Sequence, residues 1–217
     1  MLRATQYKDA IEPLLLALPS DGHGRLFVMS CLQRCSSIYS EYLRLFFEKA
    51  DQTEFEGLLS GLWRSIGDAS SFERNLSNVL EIAVRYSPVD DEIAEGDHTS
   101  IGDAVIVRQM SYFALQYCGS SSSSDLLSVG SALIERAYGR FQGIVRNEMK
   151  QKFGAEKFAS DFLNEEIYVE YARRLESFGA SRQYRNELEK QTELIALIGA
   201  SFRMSTVEID RIRERSG

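Results

Sequence analysis

The stretch 53-TEFEGLLSGLWRSIGDASSFERNLSNVLEIAVRYSP-88 decides the fold class. Phe55, Leu58, Leu59, Leu62 and Ile66 recur at three- and four-residue intervals, with Trp63 on the flank of the stripe, which places them on one face of a helix. Phe72, Leu76, Val79, Leu80 and Ala83 repeat the pattern. Thr53-Glu54-Phe55-Glu56 and Ser70-Ser71-Phe72-Glu73 read as capping boxes, a hydroxyl and a carboxylate satisfying the free amides at a helix start. Ser87-Pro88 closes the second helix, because the residue before a proline is pushed out of the helical region. Two amphipathic helices joined by a short turn are the unit from which the rest of the chain is read.

The same period extends in both directions. Upstream, Phe27, Cys31, Cys35, Ile38, Tyr42 and Leu45 share a face, with a break expected near Cys35-Ser36-Ser37. Residues 1–20 read as an N-terminal extension helix. Downstream, Ile106, Met110, Phe113 and Tyr117 form one stripe, and residues 119–125 form a serine-rich surface connector. A long helix follows, with Leu127, Gly130, Ile134, Phe141 and Val145 inward. Gly130, Gly139 and Gly143 weaken it, which close approach of neighbouring helices would offset. It ends at Gly154. Phe158, Phe162, Val169 and Ala172 mark a further helix closing near Gly179, and Tyr184, Leu188, Ile195, Ile198 and Phe202 mark the last long one. No alternating strand pattern and no internal repeat occurs. The expectation is an all-α, single-domain bundle of about seven to nine helices spanning residues 1–217.

Bulk composition excludes several function classes. A net charge of −7 argues against direct nucleic-acid binding, which needs a basic face. No run of residues approaches the roughly 20 apolar positions of a membrane span. Asp9 and Glu12 interrupt the apolar start, so no secretory signal is expected and the location reads as cytoplasmic. The three cysteines, Cys31, Cys35 and Cys118, form no CxxC pair and read as reduced, buried thiols. Both histidines fall in segments that read as solvated loops, Asp21-Gly22-His23-Gly24 and Gly96-Asp97-His98. The chain has no Walker loop, no dinucleotide fingerprint, no HExxH and no nucleophile elbow, so no catalytic residue, metal or cofactor is assigned.

The polar feature that stands out is 87-SPVDDEIAEGDHTSIGDA-104. Between Arg85 and Arg108 lie six carboxylates and no lysine or arginine. With Ser100 as N-cap, Asp103 occupies the third helical position, where a carboxylate is favoured by the helix dipole; it reads as a structural anchor. Asp90, Asp91, Glu92, Glu95 and Asp97 crowd a short loop without the spacing of a calcium loop. They read as a solvated loop or as an anionic surface for a basic partner, which would speed association. Residues 136–157 are the counterweight. Arg136, Arg140, Arg146, Lys150, Lys152 and Lys157 outnumber Glu148 and Glu156 there, and this segment is a candidate to neutralise the acidic loop within the fold.

Four stretches, 26-LFVMSCLQRCSSIYSEYLRLFFEKA-50, 58-LLSGLWRSIGD-68, 100-SIGDAVIVRQMSYFAL-115 and 187-ELEKQTELIALIGASFRMSTVEI-209, resemble the YjaG-like family of small all-helical bacterial proteins, a domain of unknown function. The Asp103-Ala104 pair matches an Asp-Ala pair at a helix start in that family. His98-Thr99-Ser100-Ile101-Gly102 departs from its Tyr-Pro approach. The resemblance implies a helical fold, a cytoplasmic bacterial setting and no catalytic residues. Some relatives look like immunity proteins, which implies an antitoxin role in bacterial competition. The partner would be a cognate toxin protein with a basic active face. A housekeeping adaptor or homo-oligomer is the second reading, and a ligand-binding or enzymatic bundle using Asp97, His98 and Asp103 the third.

Overall fold

A computed structural model describes residues 2–47, 49–87, 99–160, 165–201 and 205–216. The described residues form α1 (Leu2–Leu16), α2 (Asp21–Phe46), α3 (Lys49–Ser65), α4 (Ala69–Arg85), α5 (Thr99–Ser120) and α6 (Ser123–Phe153). There follow α7 (Ala155–Ser160), α8 (Glu165–Glu176), a 3-10 turn (Ser177–Ala180), α9 (Arg182–Gly199) and α10 (Thr206–Ser216). Nine of these helices have eleven residues or more, and no strand occurs among the described residues, so the fold is an all-α bundle as the periodicity requires. No described helix is long and apolar enough to cross a membrane.

The centre of the bundle is α5, which packs on α2, α4 and α6 together. Its sequence explains that position. Ala104, Val107, Met110, Ser111, Ala114 and Tyr117 are all buried, and the Ser111 hydroxyl is satisfied by the Val107 carbonyl at 2.8 Å. On one side α3 and α4 pack against each other, α3 on α2 and α4 on α5; on the other, α1, α6 and α9 pack together, and α10 lies across α2 and α9. The stripe of α3 is inside, with Phe55, Leu59, Leu62, Trp63 and Ile66 buried, and that of α4 gains Ile82. The apolar face of α1 (Tyr7, Ile11, Leu15) is buried against α6 and α9, so the N-terminal helix is part of the core.

Several local expectations are corrected. Thr53 lies inside α3, which begins four residues earlier at Lys49, so Thr53 to Glu56 is not a helix start. The cap of α4 is Asp68, two residues ahead of Ser70. Its carboxylate accepts from the amides of Ser70 (3.1 Å) and Ser71 (3.3 Å), and from the Ser71 hydroxyl. An aspartate satisfies the free amides of a first turn as well as a serine does and adds charge against the dipole. Those bonds, the Ser71 hydroxyl first among them, hold the Asp68 carboxyl below its ordinary pKa. α2 runs without a break through Cys35-Ser36-Ser37, the Ser36 hydroxyl donating to the Gln33 carbonyl at 2.7 Å. Leu45 is 54% exposed at its end. The serine connector shrinks to two residues, Ser121 in the left-handed region (φ 52) and Ser122 capping α6. Beyond Gly154 there are two helices where one was expected, with Val169 exposed. A further helix, α10, follows α9.

The glycines of α6 divide. A Cβ on Gly130 would collide with the Tyr7 hydroxyl and come within 2.8 Å of the Gln191 side-chain oxygen, so this position is a close crossing of α1, α6 and α9. Gly139 and Gly143 face open space, and no crossing accounts for them. Past Gly143 the helix carries a second, smaller core, in which Val145 and Met149 pack with Phe158, Ile167 and Tyr171 from α7 and α8.

Candidate functional site

The acidic residues singled out in the sequence, Asp90, Asp91, Glu92, Glu95 and Asp97, lie outside the described residues, as does His98. What is described is the segment before it and the helix that follows. α4 stops at Arg85, with the Tyr86 amide bonded back to the Ile82 carbonyl. The Tyr86 carbonyl accepts from the Tyr42 hydroxyl at 3.0 Å, and its own hydroxyl donates to the Asp51 carboxylate. That bond to a carboxylate raises the Tyr86 pKa. Arg108 of α5 donates to the Ser87 hydroxyl at 2.8 Å. The upstream end of the acidic stretch is therefore tied to packed helices.

The expectation for Asp103 is partly revised. α5 begins at Thr99, so Ser100 is a helical residue and not the N-cap. The positions three and seven residues beyond Asp103, Ile106 and Met110, are buried. The Asp103 side chain lies outside the described residues.

His23 overturns the loop expectation. It sits in the first turn of α2, only 6% exposed. Its Nε2 lies 2.9 Å from the Ser201 carbonyl and its Nδ1 2.7 Å from the Ser20 hydroxyl. A carbonyl can only accept, so Nε2 carries a proton, and in the neutral ring Nδ1 then accepts from the Ser20 hydroxyl. The histidine thus ties the start of α2 to the end of α9. The glycine beside it serves packing, since a Cβ on Gly24 would run into the Tyr117 ring, whose hydroxyl donates to the Asp21 carbonyl at 3.2 Å. Burial pushes the Tyr117 pKa up to about 12.

The cysteines are core residues. Cys31 and Cys35 are fully buried, and burial raises the Cys31 thiol far above its ordinary value. Cys118, half-buried, is pushed up to about 11 by the same cause. Thiols held protonated in this way are poor nucleophiles and poor ligands. Among the described residues, no group of three or more His, Cys, Asp or Glu gathers as a metal set would.

Two polar assemblies were not legible in the sequence. The first is a buried chain of bonds around Gln191, which is fully enclosed. Its side-chain oxygen accepts from the Tyr7 hydroxyl at 2.6 Å, and its nitrogen donates to the Gly130 carbonyl and to Glu187, both at 3.0 Å. Glu187 in turn holds Arg34 in a two-pronged ion pair of 2.7 and 2.5 Å, with the side chains 12% and 13% exposed. Arg136 donates to the Arg34 carbonyl at 2.9 Å, locking α6 to α2.

The second assembly is a groove directly outside that ion pair. One half, about 390 Å3, is walled by Arg34, Arg136, Arg140, Glu187 and Lys190 over a floor that includes Leu133 and Ala137. The other half, about 450 Å3, shares Arg34 and Lys190 and adds Glu193, Arg211 and Arg215. Six cations face two carboxylates here, in a chain whose net charge is −7. The basic segment 136–157 is thus split between duties: Arg136 and Arg140 line the groove, whereas Lys152 pairs with Glu170 of α8 at 3.6 Å.

Comparison with protein-family models, with curated proteins and with solved structures finds no match to this chain, so its function is argued from sequence and geometry alone.

Proposed function

We propose that the chain is an immunity-type protein, a binder without catalysis that occludes a cytoplasmic toxin domain through the anionic stretch 90–97. The observation that carries this reading is the concentration of charge. Five carboxylates fall within 90–97, and neither lysine nor arginine occurs between Arg85 and Arg108. Tying of the upstream flank supports it, because Tyr86 and Ser87 are bonded to α2, α3 and α5, so the stretch starts from a fixed point. A concentrated anionic surface mainly accelerates encounter with a basic partner and makes it salt-sensitive.

The test requires a toxin domain encoded by a neighbouring gene, and the absence of any such gene would itself overturn the proposal. Substituting Asp90, Asp91 and Glu92 by Lys is expected to slow association by about 10- to 100-fold at low salt while leaving the thermal melt unchanged. Unchanged association kinetics would remove the stretch from the interface, and failure of the intact chain to protect cells from that toxin would sink the proposal. The second reading, a housekeeping adaptor or homo-oligomer, draws on Tyr168 and Val169, adjacent on α8 and 55% and 56% exposed. Light scattering that gives a concentration-independent dimer would favour it.

A further inference from the structure

We propose that the groove between α2, α6, α9 and α10 binds a small phosphate-bearing ligand with more than one anionic group, of the nucleotide or oligophosphate class. The two depressions are continuous in chemistry because Arg34 and Lys190 wall both. Their cations are not equally committed. Arg34 is matched by Glu187, and Arg136 is engaged with the Arg34 carbonyl. Arg140, Lys190, Arg211 and Arg215 make no ion pair or hydrogen bond with any described residue. With Glu193 as the remaining carboxylate among the described lining residues, these side chains carry positive charge in excess, on a chain that is negative overall.

Charges of one sign lining a cleft with low-dielectric walls focus the field into it. Here Leu133 and Leu194 supply such walls, at 1% and 6% exposed. Arginine is suited to phosphate, since its planar fork gives two parallel N–H donors to two oxygens. Part of the charged wall is also fixed in advance: Glu187 holds the Arg34 guanidinium, and Gln191 holds Glu187, so little ordering of Arg34 is required on binding. The size of each half falls in the range of small-molecule sites. A long polyanion is disfavoured, because beyond the groove it would meet the net negative charge of the rest of the chain. This inference stands apart from the toxin-binding reading and uses none of its residues.

The test is calorimetric titration of the full chain with sodium tripolyphosphate and, separately, with ATP without magnesium. Saturable binding of at least one is expected. Arg140→Glu with Lys190→Glu should weaken it at least about tenfold, whereas the exposed pair Arg64→Glu with Arg74→Glu, an equal change in net charge on α3 and α4, should stay within about twofold. Circular dichroism and thermal melts verify folding, and Arg140→Gln with Lys190→Gln replaces the reversal should it not fold. Equal affinity for the two ligands assigns the site to the phosphate chain; tighter ATP binding assigns it to a nucleotide. No saturable binding of either, equal losses in both charge-reversed variants, or an oligonucleotide or acidic peptide that binds where tripolyphosphate does not would each overturn the proposal.

Discussion

Two glycine-to-alanine substitutions on α6 should move stability in opposite directions. At Gly139 and at Gly130 alike, alanine removes the backbone freedom of the unfolded glycine and gains about 1 kcal/mol of helix propensity. At Gly139 nothing lies within 4 Å of the new methyl group, so the gain survives and the variant is stabilised by about 0.5–1 kcal/mol. At Gly130 the methyl group would displace the Tyr7 hydroxyl, press on the Gln191 oxygen at 2.8 Å and crowd the tip of Phe27 at 3.1 Å. Tyr7 and Phe27 are buried in the core and have little room to retreat. Overpacking costs about 1–3 kcal/mol, and separating Tyr7 from Gln191 leaves an enclosed amide oxygen without its donor at about 1–3 kcal/mol more. The net expectation is a loss of about 2–3 kcal/mol, read by urea denaturation with the m-value held constant. Tyr7→Phe removes the atom that clashes, so the cost of Gly130→Ala should fall by about 1 kcal/mol in that background. Both alanine variants shifting the same way, or full additivity of Tyr7→Phe with Gly130→Ala, would refute the close crossing.

Three further outcomes follow from buried or paired groups. Arg34→Ala, by stranding Glu187 at 12% exposure, should destabilise by about 3–5 kcal/mol; pairing Arg34→Met with Glu187→Leu should recover most of the loss in the same denaturation assay. Hydrogen bonds from Arg174, then Arg173, lower the Glu170 pKa from 4.5 to about 2. A depressed folded-state value means that the stabilisation is present above pH 4.5 and is lost as the pH falls towards 2; Glu170→Gln should flatten that part of the stability profile, and a carboxyl NMR titration reads the pKa directly. The Tyr39 hydroxyl is buried and has no hydrogen-bond partner among the described residues, and burial raises its pKa. Tyr39→Phe should therefore be neutral or stabilising by up to about 1 kcal/mol, and a loss of comparable size in a thermal melt would contradict the unpartnered hydroxyl.

Apolar spacing made the bundle readable because core-facing helices must repeat at 3.6 residues. That signal placed α4, α6 and α9 close to their observed bounds, and its strength is visible in how completely Phe55, Leu62, Leu76 and Val79 are buried. Local polar signals were weaker guides. Thr53 has glutamate three residues later, yet α3 had already begun, and Asp68 took the capping role that Ser70 was expected to fill. The two glycines around His23 suggested a loop, whereas Gly24 is there to admit the Tyr117 ring. α10 was invisible because its exposed surface is heavily charged and it buries little beyond Ile212 and Ser216. The groove was unreadable for a different reason. Its cations come from positions 34, 136, 140, 190, 211 and 215, on four helices, and only the fold brings them together.

The 31-residue α6 has one end in the main core and the other in the smaller one, and Phe141 packs against both. A rod shared by two cores of unequal size should not melt as one piece. The lesser core rests on five buried residues among those described, so opening it exposes little apolar surface and takes less free energy than opening the main body. Amide protons beyond Gly143 should then exchange with solvent sooner than those around Gly130. Protease cuts should fall first in the α7–α8 region, and two cuts there should excise that segment while the two remaining pieces stay associated through the main core.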